Sequence, residues 1–410
     1  MRNATRFVLD SILLAGCASA DPARSAAASA TAAAGAGQSP AAASTDGPAH
    51  SLSADVPTYR GDAARNGVMP EPGPIADPIL AWKLELDGPV RTSLVTGAGM
   101  TFVAVDNGSV VAVDLATGKT RWKATPSSSP LSTPDVVGGL VVVGTGVDGL
   151  RALDAGTGKM RWSAPAGGAI LGAPAGSRGT IVFGTDAGTI EAVDAVTGAK
   201  RWSASAGDPV IASIAIGGDV VVVGTNGGDL HDGAVVAFDL ATGAQKWRTD
   251  VGYVGRVGTP AIADGHVFAS TGLDASTPGT HHIVALGLAT GALEWTFENA
   301  TDDAVYTPAI SDGRAYVPGD HTTTAVDESS GAVAWSAKAD GIVEVVPAVA
   351  GAVVYGASDN GSVFALDASK GTQLWSLPIR GVPFGPTVAR GLVLIGTDLG
   401  LVYAIGGTLP

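Results

Sequence analysis

Cysteine is almost missing from this chain: its 410 residues include one, Cys17. A lone thiol excludes an intramolecular disulfide and any multi-cysteine metal site, so packing must hold the fold. Charge is scarce as well, at 15% of residues against about 25% in ordinary globular domains. Basic residues are the scarcer sign, 24 against 38 acidic, for a formal net charge of −14. Such a surface repels phosphate backbones and anionic lipid, which argues against nucleic-acid binding and against adsorption to an acidic membrane. No apolar stretch of about 20 residues free of turn-formers follows the amino terminus, so no membrane-spanning helix is expected. Catalytic signatures are lacking too: no Gly-x-Ser-x-Gly elbow, His-Glu-x-x-His helix or phosphate loop occurs.

Glycine is abundant, with 58 residues, about twice the usual share. It accompanies a repeat. The stretch Ala112-Val113-Asp114-Leu115-Ala116-Thr117-Gly118-Lys119-Thr120-Arg121-Trp122 reads as a strand end, a tight turn and a second strand closed by tryptophan. The pattern returns at Ala152 to Trp162, Ala192 to Trp202, Ala237 to Trp247, Ala285 to Trp295, Ala325 to Trp335 and Ala365 to Trp375. With Trp82, these use all eight tryptophans of the chain, at successive spacings of 40, 40, 40, 45, 48, 40 and 40. Between them lie short apolar runs, such as Leu140 to Val143 and Val220 to Val223, bounded by glycine turns. Period-two patterning with tight turns predicts four strands per repeat, A to D from the inside outward. A regular repeat of this length predicts a propeller.

The ends predict how the ring closes. Thr387 to Ala389, Leu392 to Ile395 and Leu401 to Ile405 supply three strands and stop before any tryptophan, while Ile79 to Leu84 is a lone D strand at the other terminus. Joined, they complete an eighth blade and leave no long free edge. Within each motif the aspartate (Asp114, Asp154, Asp194, Asp239, Asp327, Asp367) is expected to bond turn amides, the glycine to supply φ > 0, and the tryptophan to bury its ring between blades. Repeat five has Gly287 in place of the aspartate and repeat six carries Ser329-Ser330-Gly331 in its turn, so both read as weakened copies.

The motif A-x-D-x-x-T-G-x-x-x-W resembles the tryptophan-docking repeat of the PQQ-like β-propeller superfamily, which includes quinoprotein alcohol dehydrogenases and BamB-like lipoproteins. Tyr59-Arg60-Gly61-Asp62-Ala63-Ala64-Arg65-Asn66-Gly67 resembles the lead-in of many bacterial members. The resemblance implies an all-β, eight-bladed propeller over residues 56–410. For the dehydrogenase branch it also implies a PQQ cofactor with Ca²⁺, a vicinal disulfide over the quinone and a tryptophan beneath it. This chain has neither a second cysteine nor a spare tryptophan, and no PQQ, other cofactor or metal is expected.

At the amino terminus, Arg2 and Arg6 precede an apolar run, and Leu14-Ala15-Gly16-Cys17 matches the bacterial lipobox. Residues 1–16 therefore read as a lipoprotein signal and Cys17 as the lipidated residue. Residues 17–55, rich in Ala, Ser, Gly and Pro, cannot bury enough apolar surface to order themselves and read as a flexible tether.

One sector departs from the plain repeat. The longer spacings place extra residues in the B–C hairpins of blades four and five, around His231, Asp232, Asp274, His281 and His282; blade six adds His321. B–C and D–A loops share one face, so Tyr253, Arg256, Asp302 and Tyr306 of the D–A loops join them in a candidate binding face. Arg91, Arg256, Glu344 and Arg380, at the starts of A strands, stand where they would line the channel. Insertions on a rigid scaffold commonly carry binding, although neutral variation in loop length produces the same pattern. His281 and His282 are adjacent and would point apart in a strand, which disfavours a metal site.

These observations point to an exported, lipid-anchored, monomeric propeller acting as a noncatalytic scaffold for an envelope protein partner. The alternatives are a PQQ- and Ca²⁺-dependent oxidoreductase and a small-ligand or glycan receptor. The anchor is testable by itself: Cys17→Ser is expected to shift the full-length chain from the membrane pellet to the soluble fraction, and a variant that still sediments with membranes contradicts the lipobox reading.

Overall fold

The computed structural model describes residues 55–126, 132–146, 148–227, 232–272, 281–298, 305–343 and 345–410, with the side chains of 253 and 254 excepted. Among them there is no α-helix; the chain forms eight four-stranded antiparallel sheets. Blade one is typical, running from Val95–Gly97 (A) through Met100–Ala104 (B) and Val110–Asp114 (C) to Thr120–Ala124 (D). The A, B and C strands are almost wholly buried, whereas D alternates, because only its tryptophan side faces a neighbouring blade. Eight apolar clusters fill the blades and the wedges between them, built mainly from β-branched residues and alanine.

The ring closes from both termini, as the sequence predicts. The eighth sheet is Thr387–Ala389, Leu392–Gly396 and Leu401–Thr408 with Ala76–Glu85 as its outer strand. In the seven continuous blades the motif alanine lies opposite its tryptophan, as Ala112 does Trp122; in the eighth, Ala404 takes that place opposite Trp82. One motif is thus assembled from two ends of the chain.

Each tryptophan reaches into the next blade. The indole Nε1 of Trp82 donates to the Leu115 carbonyl at 2.8 Å, Trp122 to Ala155 at 2.9 Å, Trp162 to Ala195 at 3.2 Å and Trp202 to Leu240 at 2.9 Å. Trp247, Trp295 and Trp335 repeat the bond to Leu288, Glu328 and Ala368. Trp375 has no such turn ahead of it, because blade eight is interrupted by the termini; it donates instead to the Pro74 carbonyl at 2.7 Å. A ring of this size buries about 150–250 Å², worth roughly 4–6 kcal/mol at about 25 cal/mol per Å² before entropy is counted.

The C–D turn is shaped to receive that ring. Asp114 Oδ1 accepts from the amide and hydroxyl of Thr117, at 3.0 and 2.7 Å, and its Oδ2 meets Arg121. These bonds hold the Asp114 carboxyl down at about 2, led by the Thr117 hydroxyl. Blade six is less weakened than its sequence suggests, since the Ser329 and Ser330 hydroxyls both donate to Asp327. Blade five lacks the carboxylate but keeps the backbone turn, with the Gly291 amide on the Gly287 carbonyl at 2.7 Å.

The turn glycine is needed twice over. Gly198 has φ +72°, and a Cβ there would lie 2.6 Å from the Trp162 ring. Gly218, in the A–B turn of blade four, has φ +60° with open space around it. Gly218→Ala is therefore expected to cost only the left-handed backbone, about 1–2 kcal/mol, while Gly198→Ala adds about 1–3 kcal/mol of overpacking. Urea unfolding of the two variants measures the difference; equal losses would contradict the docking geometry.

Candidate functional site

The lead-in from Asp55 to Met69 lies across the middle of the ring, a placement the sequence analysis missed. The A strands are the inner edges of their sheets, so their inward amides need partners from outside the blade. The lead-in supplies them. Carbonyls of Val56, Pro57, Ala63, Ala64, Asn66 and Gly67 accept from Thr96, Val136, Ile216, Ile262, Ile310 and Val349, in blades one, two, four, five, six and seven, at 2.6–2.8 Å. Blade eight is reached by the ion pair of Asp55 with Arg390 at 3.1 Å.

Arg65 is the centre of this segment and is wholly buried. Its Nε donates to the Ile214 carbonyl at 2.9 Å, Nη2 to Pro174 in blade three at 2.6 Å, and Nη1 to Tyr59 at 2.6 Å and to the Thr58 hydroxyl. The planar fork of five donors suits this spread of acceptors, which a lysine could not match. The guanidinium also lies 5.7 Å from the Tyr59 ring centroid, at cation–π distance. Arg60 is buried beside it and donates to the Pro308 carbonyl of blade six; burial lowers its pKa to about 10. Both arginines hold left-handed backbone, φ +63° and +59°, strain that persists only because the surrounding bonds over-determine it. The sequence signal was two arginines and two glycines set among small residues before the first strand.

Asp135, at the start of the blade two A strand, is the buried counter-charge. Burial pushes its carboxyl pKa up, while Arg65, the Thr58 hydroxyl and the Gly176 and Val136 amides pull it down.

Above the lead-in, on the face of the D–A loops, the channel remains open as a cavity of about 250 Å³. Tyr59 forms part of its lining. Thr92, Ser93, Thr133 and Ser213 bring hydroxyls to the lining from blades one, two and four, and Leu171, Val345, Val346 and Phe384 bring apolar side chains from blades three, seven and eight. Arg91 stands in the lining too, ion-paired with Asp106.

The irregular sector joins this face blade by blade. Isolated bridges link Asn226 to Arg256, Val257 to Thr271 and Val305 to Gly319, so each B–C hairpin is pinned to the D–A linker beside it. Asp232 opens the blade four C strand opposite Val254. His281 and His282 are buried, and His282 Nε2 lies 3.9 Å from Glu298 in its cross-strand partner. The Tyr306 amide bonds the Pro318 carbonyl, and His321 is exposed in the blade six turn. Arg380 donates its amide to the Tyr403 hydroxyl at 3.2 Å, away from the cavity lining. His231, Asp274, Asp302, Glu344, the Tyr253 side chain and Cys17 lie outside the described part.

Residues 77–134, 106–274, 187–307 and 279–407 match the family model of the outer membrane protein assembly factor BamB. The chain belongs to that family. Among solved structures, BamB from Moraxella catarrhalis superposes with a TM-score of 0.66 at 21% identity, covering 81% of this chain and 98% of that one. A quinohemoprotein alcohol dehydrogenase from Comamonas testosteroni gives 0.69 at 17% identity, covering 86% and 81%. A europium-containing methanol dehydrogenase gives 0.69 at 14%, covering 86% and 98%. At these identities the likeness is one of fold. No curated protein sequence matches the chain.

The residues of this BamB-family propeller do not fit the quinone that the dehydrogenase branch implies. Every tryptophan has its ring seated in the next blade or its indole nitrogen bonded there. A single cysteine cannot form the disulfide, and the described cavity lining offers a triply anionic ring one arginine, already paired.

Removing the central arginine has a signed consequence. Arg65→Ala leaves Asp135 buried without its main counter-charge, a change expected to cost about 3–5 kcal/mol at pH 7. A carboxyl whose folded pKa lies above its unfolded value opposes folding at high pH and less as pH falls through the folded pKa. The deficit should therefore shrink toward pH 5, and Asp135→Asn should recover part of it at pH 7. Urea unfolding across that range checks both; a pH-independent loss without rescue contradicts the assignment.

Proposed function

We propose that this chain is a noncatalytic scaffold of the bacterial envelope, anchored by a lipid on Cys17 and held off the membrane by residues 18–55. Its partner is a protein, which docks on the face of the B–C and D–A loops across blades four to six. The observation that carries this reading is the filling of the channel by Asp55 to Met69, which devotes the interior, the natural place for a reaction centre in a ring, to holding the blades together. Membership of the BamB family supports it, and so does the clustering of insertions on one face.

Asp232, Arg256, Tyr306 and His321 mark the docking face among the described residues. Bridges between hairpin and linker tie the described backbone of this sector, Arg256 directly to Asn226, which limits the ordering entropy lost at those residues on binding. The opposite face carries the C–D turns, which repeat one backbone geometry in the seven continuous blades.

Two measurements test the reading. A photo-crosslinking residue at position 306 or 321 is expected to trap a discrete envelope protein in cells, while the same residue at 157 or 197, in C–D turns, is not; equal capture from both faces contradicts the site. Purified protein supplied with PQQ and Ca²⁺ is expected to show no stoichiometric quinone uptake and no alcohol-dependent dye reduction. Tight uptake with turnover would replace the scaffold by the oxidoreductase.

A further inference from the structure

We propose that the channel mouth binds a neutral sugar ring, independently of the docking face on blades four to six. The cavity is about 250 Å³, just below the roughly 300–1,000 Å³ of drug-sized sites, so it suits one small ring rather than an extended ligand. Ser93 and Thr133 belong to almost fully buried residues, at 8% and 9% exposure, yet line this space. No hydrogen bond within the described protein engages the side-chain hydroxyls of Ser93, Thr133 or Tyr59, and none of the three is sealed from the cavity. The three hydroxyls open onto the cavity without a partner among the described residues, and each can both donate to and accept from a ligand.

The apolar part of the lining decides the class of ligand. Leu171, Val345, Val346 and Phe384 stand among the hydroxyl-bearing residues. A pyranose matches that mixed lining, with C–H groups for the apolar side chains and hydroxyls for the polar ones. Charge excludes the acidic sugars. Arg91, the cation in the described lining, is neutralised by Asp106, and the chain carries a formal −14. A carboxylate would have to enter against that field without a free counter-charge.

Gly385 gives the test a clean handle. Its φ lies outside the left-handed region, and a Cβ there would meet only the Ser93 hydroxyl, at 2.8 Å, and the Val346 carbonyl at an ordinary 3.8 Å. Gly385→Ala therefore displaces that hydroxyl and narrows the cavity while leaving the backbone alone. Thr133→Val removes a second hydroxyl at constant shape.

Saturation-transfer NMR and calorimetry on the full chain, with D-glucose, D-galactose and D-mannose as probes and D-glucuronate as the anionic control, test the proposal. At least one neutral hexose is expected to bind with millimolar affinity, glucuronate at least about tenfold more weakly. Each substitution should weaken the neutral sugar by about tenfold, the scale of one lost hydrogen bond, with unfolding midpoints near that of the parent. Should Gly385→Ala fail to fold, Thr133→Val alone decides. Absence of binding by all three hexoses, equal binding of glucuronate, or unchanged affinity in Thr133→Val overturns the proposal.

Discussion

The ring depends on one interaction made at each blade boundary: an indole that crosses from the outer strand of one blade to the C–D turn of the next. A propeller blade cannot bury both faces alone, and radial packing needs a contact that fixes the angle between neighbours. The tryptophan does this with a directional bond to a backbone carbonyl and a flat ring over a glycine that leaves no room for a side chain. The small alanine across the C–D pair and the aspartate that shapes the turn serve the same contact. The seam shows how strict the requirement is. Blade eight has no C–D turn to offer, so the chain brings the Pro74 carbonyl to Trp375 and places Gly73 against Tyr355. Closure is thus a covalent break repaired by the same chemistry.

The second constraint acts at the inside of the ring. Eight inner strands present unpaired amides to a channel, and water is one solution to that problem. This chain uses its own lead-in, which winds past blade after blade and hands each a carbonyl, a carboxylate or an arginine fork. The cost is two arginines and one aspartate in a low-dielectric interior. Burial shifts all three against their charged forms, and geometry compensates through bonds to carbonyls and hydroxyls. Beside the lead-in a cavity remains, lined by residues of the D–A linkers.

The ring was legible in the sequence because each part of the motif answers a local need. Eight tryptophans at near-constant spacing, seven of them with an alanine and a glycine at fixed distance, admit few arrangements, and even the split blade followed from unmatched strands at the ends. The lead-in was not legible in the same way. Its residues form a single copy with no period, and their meaning depends on carbonyls of Pro174, Ile214 and Pro308, residues 109 to 248 positions away. Nothing local to Arg65 says that it will meet them. The blade six turn was undervalued for a simpler reason: Ser330 replaces the motif threonine with the same hydroxyl at the same distance from Asp327. The cavity wall was beyond reach as well, since Thr92, Ser93 and Thr133 look like ordinary linker residues until the blades converge. Of the residues expected on the docking face, His281 and His282 are buried, His282 as the first residue of the blade five C strand.

The central claim is that the lead-in is an integral part of the ring. Native-state hydrogen exchange at the amides of Thr96, Val136, Ile216, Ile262, Ile310 and Val349 tests it most directly, because each points inward to a lead-in carbonyl. The account predicts protection as high as that of the buried B and C strands, opening only with global unfolding. Exchange of these amides at the rate of exposed loops, with the B and C strands still protected, would contradict it.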